Sequence, residues 1–216
     1  SLFSVAASGF EKYLASSPNP KRELEALYYL GSCQYRLGNK EESVATYKKV
    51  LAKPKSIYTE SAALTVSKYE YELKNYDAAL AAYKQLELSA TYSHNALIAK
   101  IGLMRCHTFK KEFDFARPYA RAVLNDSLAL DNVKIEANYV LGKAEFEAGN
   151  YAVALDYFFF VEAKSTGVIG AESHYHIALI YHLQEDFSGS EEEVRAIVKT
   201  RGAYGYWVAK ALILQA

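Results

Sequence analysis

Apolar residues recur along the chain at spacings of three and four, and the recurrence stops at short polar stretches. The segment Glu25 to Val50, EALYYLGSCQYRLGNKEESVATYKKV, is representative. Ala26, Leu30 and Cys33 fall on one stripe of a helix, and Ser43, Tyr47 and Val50 on a stripe of a second. Between them stands the turn dipeptide Gly38-Asn39. Comparable breaks occur at Lys74-Asn75, Lys111-Glu112, Gly149-Asn150 and Glu185-Asp186, so the pattern predicts a succession of helix–turn–helix pairs.

The pairs are copies of one another. Glu136 to Val161, EANYVLGKAEFEAGNYAVALDYFFFV, shares E-A, Y, L-G and G-N with Glu25 to Val50 at identical spacing. Five repeats begin near Leu24, Glu60, Leu97, Ile135 and Ala171, 36 to 38 residues apart. Position 7 is Leu30, Val66, Leu103, Leu141 and Ile177, always aliphatic. Position 3 is small throughout (Ala26, Ala62, Ala99, Ala137, Ser173), as is position 20 (Ser43, Ala79, Ala116, Ala154, Ser190). Small residues at fixed places let neighbouring helices approach, and aliphatic ones fill the space between them.

Composition agrees. The chain of 216 residues has the length of one or two domains, with 51% hydrophobic and 23% charged residues. Only four Pro and 11 Gly punctuate it, which favours helices over short strands with tight turns. Lys+Arg and Asp+Glu both number 25, so the basic excess of a nucleic-acid binder is missing. The strongest apolar run, Leu155 to Val161, is too short to span a bilayer.

These residues resemble the tetratricopeptide repeat. That family has a small residue at position 8, matched by Gly31 and Gly142 and more weakly by Ser67 and Ala178. Its aromatic at position 24 is matched by Tyr47, Tyr83 and Phe158; its proline near position 32 has Pro54. Repeat three departs, with Met104 at position 8, Ala120 at position 24 and Pro118 inside its second helix, where a late start or a kink is expected. The flanks extend the pattern: Ala6, Phe10, Tyr13 and Pro18 fit the second helix of a preceding repeat, and Trp207, Ala211 and Leu214 the first helix of a sixth. The resemblance implies an all-α, right-handed superhelical solenoid of antiparallel pairs, about twelve helices in a single array over 1–216, with partial repeats at 1–23 and 204–216. The segment GFEKYLASSPNPKRELEALYYLG is similar to repeats of bacterial envelope proteins of the TolA-binding division-coordinator and outer-membrane assembly lipoprotein kind, and YWVAKALILQA to arrays common in Bacteroidetes. That likeness implies a periplasmic or envelope location in a Gram-negative bacterium, with the cytoplasm as the alternative. Ser1 opens the chain, Met104 is its only Met, and a helical pattern stops without a cap at Ala216, so it reads as a fragment of something longer.

Candidate chemistry is sparse. The phosphate-binding, dinucleotide, metalloprotease and nucleophile-elbow motifs are absent, and no catalytic, cofactor or metal site is assigned. His174 and His176 are two apart on one helix and point to different sides, so they cannot share an ion; they read as surface or groove histidines. Cys33 and Cys106 occupy position 10 and read as buried free thiols. The acidic runs Glu41-Glu42 and Glu191 to Glu193 are expected to open second helices, where they complement the helix dipole.

In tetratricopeptide arrays the first helices line a groove, and the resemblance implies that positions 2, 5, 9 and 12 face it. The candidates there are Tyr28, Tyr35, Lys68, Tyr71, Arg105, Tyr139, Lys143, Phe146, Tyr175 and His182. Aromatics recur, and position 9 is basic in three successive repeats. The expectation is a non-catalytic interaction scaffold that binds a protein or peptide, with an acidic segment favoured by Lys68, Arg105 and Lys143. A bland alternative has those cations solvated or paired with neighbours such as Glu72 and Glu147. A structural spacer or oligomerisation element, self-associating through uncapped ends, is the second reading; an enzyme with its active site elsewhere is the third. The Lys/Asn/Asn/Lys/Arg clamp for chaperone C-termini is excluded, because its places hold Tyr28, Ser32, Thr65, Ile98 and Gly102.

Overall fold

The structure, a computed structural model, describes residues 1–16, 19–200, 202 and 204–215, without the side chain of Lys21. Pro18 and Ala216 lie outside the described residues. Among those described there are twelve α-helices and no strand: α1 (Leu2–Ala15), α2 (Pro20–Arg36), α3 (Lys40–Leu51), α4 (Thr59–Glu72), α5 (Tyr76–Ser89), α6 (Ser93–Phe109), α7 (Phe113–Leu124), α8 (Asp131–Glu147), α9 (Tyr151–Lys164), α10 (Val168–Leu183), α11 (Phe187–Thr200) and α12 (Gly205–Ile213). They form two compact units, Ser1–Lys110 and Lys111–Ala216.

One turn recurs in every repeat. Position 15 is left-handed each time: Gly38 (φ 86°), Lys74 (60°), Lys111 (59°), Gly149 (76°) and Glu185 (62°). The residue after it donates its backbone N–H five residues back, Asn39 to Gln34 O (3.0 Å), Asn75 to Glu70 O, Asn150 to Glu145 O and Asp186 to Tyr181 O (each 2.9 Å). The left-handed residue donates to the carbonyl three before it, as Gly38 does to Tyr35 O and Gly149 to Phe146 O. The pair of bonds ends the first helix and satisfies its last carbonyls, which fixes the angle at which the second helix returns.

Inside the pairs, glycine faces an aromatic ring. A Cβ on Gly31 would come within 2.8 Å of the Tyr47 ring, and one on Gly142 within 2.8 Å of Phe158, so in these two repeats a bare position 8 makes room for the ring at position 24. Repeat three inverts the sizes, with Met104 and Ala120, and both are fully buried. In the N-terminal unit the core gathers Leu27, Val44, Tyr47, Val50 and Val66. In the C-terminal unit Phe158 packs with Ile177 and Ile180, and Val194 and Ile197 pack with Ala211. Ala7 of α1 seats on Leu30 and Cys33, with Ala6 and Phe10 packed against them, and Trp207 and Leu214 pack beside Ala211.

Two buried acids join repeats. Glu70 accepts from Asn75 Nδ2 (2.9 Å) and pairs with Lys48 of the preceding second helix (2.5 Å). Glu145 accepts from Asn150 Nδ2 (2.7 Å) and faces Arg117 and Arg121 of α7 (3.5 and 3.8 Å). Burial works against the Glu70 carboxylate, yet Lys48 and Asn75 outweigh it and hold its pKa below the usual range.

Two sequence expectations need correction. α7 begins at Phe113 and runs through Pro118 without a late start. Its N-cap is Glu112, whose carbonyl accepts from Phe115 and Ala116 (3.1 and 3.0 Å), so Asp114 already lies inside the first turn. Glu191 to Glu193 do not open α11, which starts at Phe187; Asp186 Oδ1 accepts from Gly189 N–H there (2.9 Å).

Candidate functional site

In the N-terminal unit the first helices α2, α4 and α6 leave two adjoining cavities. One, of about 240 Å³, is lined by Tyr35, Lys40, Val44, Leu64, Thr65, Lys68, Tyr69 and Glu72. The other, of about 270 Å³, is lined by Lys68, Tyr71, Glu72, Tyr83, Ile98, Ile101, Gly102 and Arg105. Lys68 and Glu72, one turn apart on α4, border both. Lys68 is exposed and has no hydrogen-bond or ion-pair partner among the described residues; Glu72 does not pair with it. Tyr35 is 52% exposed, and Arg105 is half-buried.

Tyr71 is held edge-on by Tyr76 and Phe109, with centroids 5.9 and 6.1 Å away. That fixes a rigid aromatic wall. Gly102 lets the Tyr83 ring lie against the backbone of α6, since a Cβ there would come within 2.3 Å of it. Tyr28 is half-buried, stacked on Tyr58 (4.6 Å) and donating to Ser61 Oγ (3.3 Å), so it serves packing.

The C-terminal unit uses the same positions differently. Lys143 pairs with Glu172 Oε1 and donates to His176 Nε2, both at 3.1 Å, with the Phe113 ring 5.7 Å away. The Lys143 and Glu172 side chains are only 15% and 13% exposed. His176 Nδ1–H donates to the Glu172 carbonyl (2.8 Å), so the imidazole is neutral with Nε2 as acceptor. Burial first, then the Lys143 charge, lowers its pKa to about 3. Burial, and then the adjacent Glu172 carboxylate, push the Tyr139 hydroxyl well above the ordinary tyrosine value. Phe146 lies edge-on to His176 (5.1 Å). Tyr175 is buried under Trp207 (5.6 Å) and Lys210 (4.7 Å from its ring), and His182 rests on Phe187 (5.4 Å).

Both His174 and His176, read from sequence as surface or groove histidines, are buried. His174 sits between Glu193 Oε2, 2.7 Å from Nε2, and Glu162 Oε1, 3.7 Å from Nδ1. The Glu193 contact lies off the N–H direction and counts as an ion-pair distance, not a hydrogen bond. Glu193 was assigned to a helix start; its contact with α10 has no signal in sequence spacing alone. Lys40, Leu64, Thr65, Tyr69, Tyr83, Ile98, Ile101 and Gly102 were also not among the predicted site residues. Leu64, Ile98 and Ile101 stand on the same 2/5/9/12 stripe, so attention to its aliphatic members would have found them.

Residues 25–56 match the family model described as tetratricopeptide repeat. No curated protein matches the chain. Among solved structures, YrrB, described as a tetratricopeptide-repeat protein with an unusual peptide-binding site, is 16% identical with a TM-score of 0.67, covering 97% of this chain and 98% of that one. A tetratricopeptide repeat protein from Parabacteroides merdae is 16% identical with a TM-score of 0.48, covering 98% of this chain and 84% of that one. The fold is a helical solenoid of the tetratricopeptide type.

Proposed function

We propose that the chain is a non-catalytic interaction scaffold that holds a peptide segment on the face formed by α2, α4 and α6. The observation that carries this reading is the pair of adjoining cavities in the N-terminal unit, walled by Tyr35, Tyr71 and aliphatic side chains, with Lys68 at their common rim and without a partner among the described residues. Concave surfaces with rigid aromatics and few polar groups suit recognition of extended segments. The peptide-binding description of YrrB, on the same fold, supports it. A scaffold of bacterial envelope assembly in the periplasm is the setting proposed from the sequence resemblance.

The C-terminal unit supports a second, structural role. Its equivalent side chains are spent on the Lys143–Glu172–His176 contacts and on Tyr175 beneath Trp207, which stiffen the stack. A photo-crosslinking residue, p-benzoylphenylalanine, placed at Tyr35 or Tyr71 tests the division. Both positions should capture the same partner segment in cells, and the same residue at exposed Phe160 on α9 should not. Equal capture from Phe160, or none from either groove position, would refute the reading.

A further inference from the structure

The second helices of the pairs carry a surface that a groove on the first helices leaves untouched. Independently of that groove, we infer that the outer face of α9 pairs two copies of this chain, antiparallel about a two-fold axis at Phe160.

α9 packs against α8 and α10 and buries Ala154, Phe158 and Val161. Ala152, Val153, Asp156, Phe159, Phe160 and Ala163 stay exposed, and their spacings of three and four put them on one stripe. All but Asp156 are apolar, with Val153, Phe159 and Phe160 each more than 40% exposed or at that value. The other repeats place charge there. Position 25 is Lys48, Lys84, Arg121 and Arg195, each exposed and paired with a carboxylate; in α9 it is Phe159. Position 18 is acidic in the first three repeats, as Glu41, Asp77 and Asp114; in α9 it is Ala152. Single exposed apolar residues are ordinary, but a continuous stripe marks an interaction surface.

Charge selects a second copy as the occupant. Asp156 lies within the stripe and Lys164 at its C-terminal edge, both exposed and without a side-chain partner among the described residues. They stand about 12 Å apart along the helix, too far to pair with each other. Phe160 is midway between them. In an isologous contact residue i meets j and j meets i. An antiparallel pairing centred on Phe160 therefore sets each Asp156 beside Lys164 of the other copy and lays Phe160 against Phe160. The stripe is covered and both charges are answered. A guest without a cation in that register would leave Asp156 against an apolar surface. The 14 residues of α9 make a face about 21 Å long and 10 Å wide, well under the roughly 800 Å² per partner of a standard interface, so the dimer is weak and exchanges with monomer.

The test is sedimentation velocity of the full 216-residue chain across about 10 μM to 1 mM, where an interface below standard size assembles. A monomer–dimer equilibrium should appear. Asp156→Lys or Lys164→Asp alone sets like charges opposite one another twice per dimer and should weaken association about tenfold in low salt. The two changes together should restore the parent's association. Phe160→Cys should give a disulfide-linked dimer under mild oxidation, and Lys84→Cys on the outer face of α5 should not. These side chains are exposed, so circular dichroism of every variant should match the parent. A chain that stays monomeric throughout, single reversals without effect, a double reversal that does not restore association, or equal crosslinking from Lys84→Cys would each overturn the inference. A benzophenone at Phe160 should capture the second copy and not the segment held by Tyr35 and Tyr71, so the dimer and the groove can each fail without the other.

Discussion

Replacing Gly149 by alanine isolates the backbone cost of the turn that closes every first helix. Gly149 has φ 76°, and no atom lies within 4 Å of where its Cβ would stand. The change therefore adds no clash, and its whole effect is conformational. A residue with a Cβ costs about 1–2 kcal/mol in the left-handed region. Restricting the unfolded chain returns about 0.4–1 kcal/mol of that. The net expectation for Gly149→Ala is a loss of about 1 kcal/mol. Lys74 occupies the same place in repeat two at φ 60°, so Lys74→Gly runs the argument backwards and should gain about 0.5–1 kcal/mol. Equilibrium urea unfolding followed by circular dichroism reads both. With an m-value of about 2–3 kcal/mol/M, the midpoints should move by about 0.2–0.5 M in opposite directions at unchanged slope. Shifts in the same direction would refute the claim that one left-handed turn recurs along the chain.

Other expectations follow from the packing and the ion pairs. Phe158→Ala should cost about 3–5 kcal/mol because the ring is fully buried; Gly142→Ala should cost about 1–2 kcal/mol through crowding of that ring, and adding Phe158→Leu to it should recover part of the loss in the same urea assay. Lys143→Met should cost about 3 kcal/mol by stranding Glu172 and should raise the His176 pKa seen by NMR titration, whereas Lys68→Met should stay within about 0.5 kcal/mol of the parent. Glu60 accepts hydrogen bonds from Thr91 N–H, Thr91 Oγ1 and Asn95 Nδ2 at the start of α6. Burial opposes its charge, but these bonds together hold its pKa below 4.5. Its contribution is therefore complete above the unfolded pKa and disappears as pH falls through the folded one. Glu60→Ala should lower stability at pH 7 by about 1 kcal/mol after solvent screening, and the two proteins should converge in acid.

The helix pairs were legible because small and aliphatic residues recur where packing demands them, as Ala26 and Leu30 do in each later repeat. Their turns were visible as polar breaks, but nothing in the pattern marked which residue of each break is left-handed. Lys74, Lys111 and Glu185 adopt it without a glycine, and at Lys74 and Glu185 the paired hydrogen bonds of the cap compensate. Pro118 misled for a related reason. A proline removes one donor, but packing of Ala116, Ala120 and Val123 holds α7 together around it.

Site residues were harder to rank. The stripe at positions 2, 5, 9 and 12 brought Lys68, Tyr71 and Arg105 to one cavity and Tyr35 and Lys68 to its neighbour. The same rule named Lys143 and Tyr175, whose side chains are instead engaged with Glu172 and with Trp207 and Lys210. Position within a repeat sets the side of the helix on which a residue lies. Whether a neighbouring repeat presents a carboxylate or an indole to it is a tertiary fact. Glu172 paired with Lys143, and no acid paired with Lys68 among the described residues, separates a sealed face from an open one.

That separation is most directly tested by two-dimensional ¹⁵N–¹H NMR of the labelled chain during titration with the partner segment captured by crosslinking from Tyr35 and Tyr71. Amide shifts should concentrate at Tyr35, between Leu64 and Glu72, and between Ile98 and Arg105, while residues 139–146 and 172–182 stay in place. Shifts centred on the C-terminal unit, or none along α4 and α6, would contradict the account.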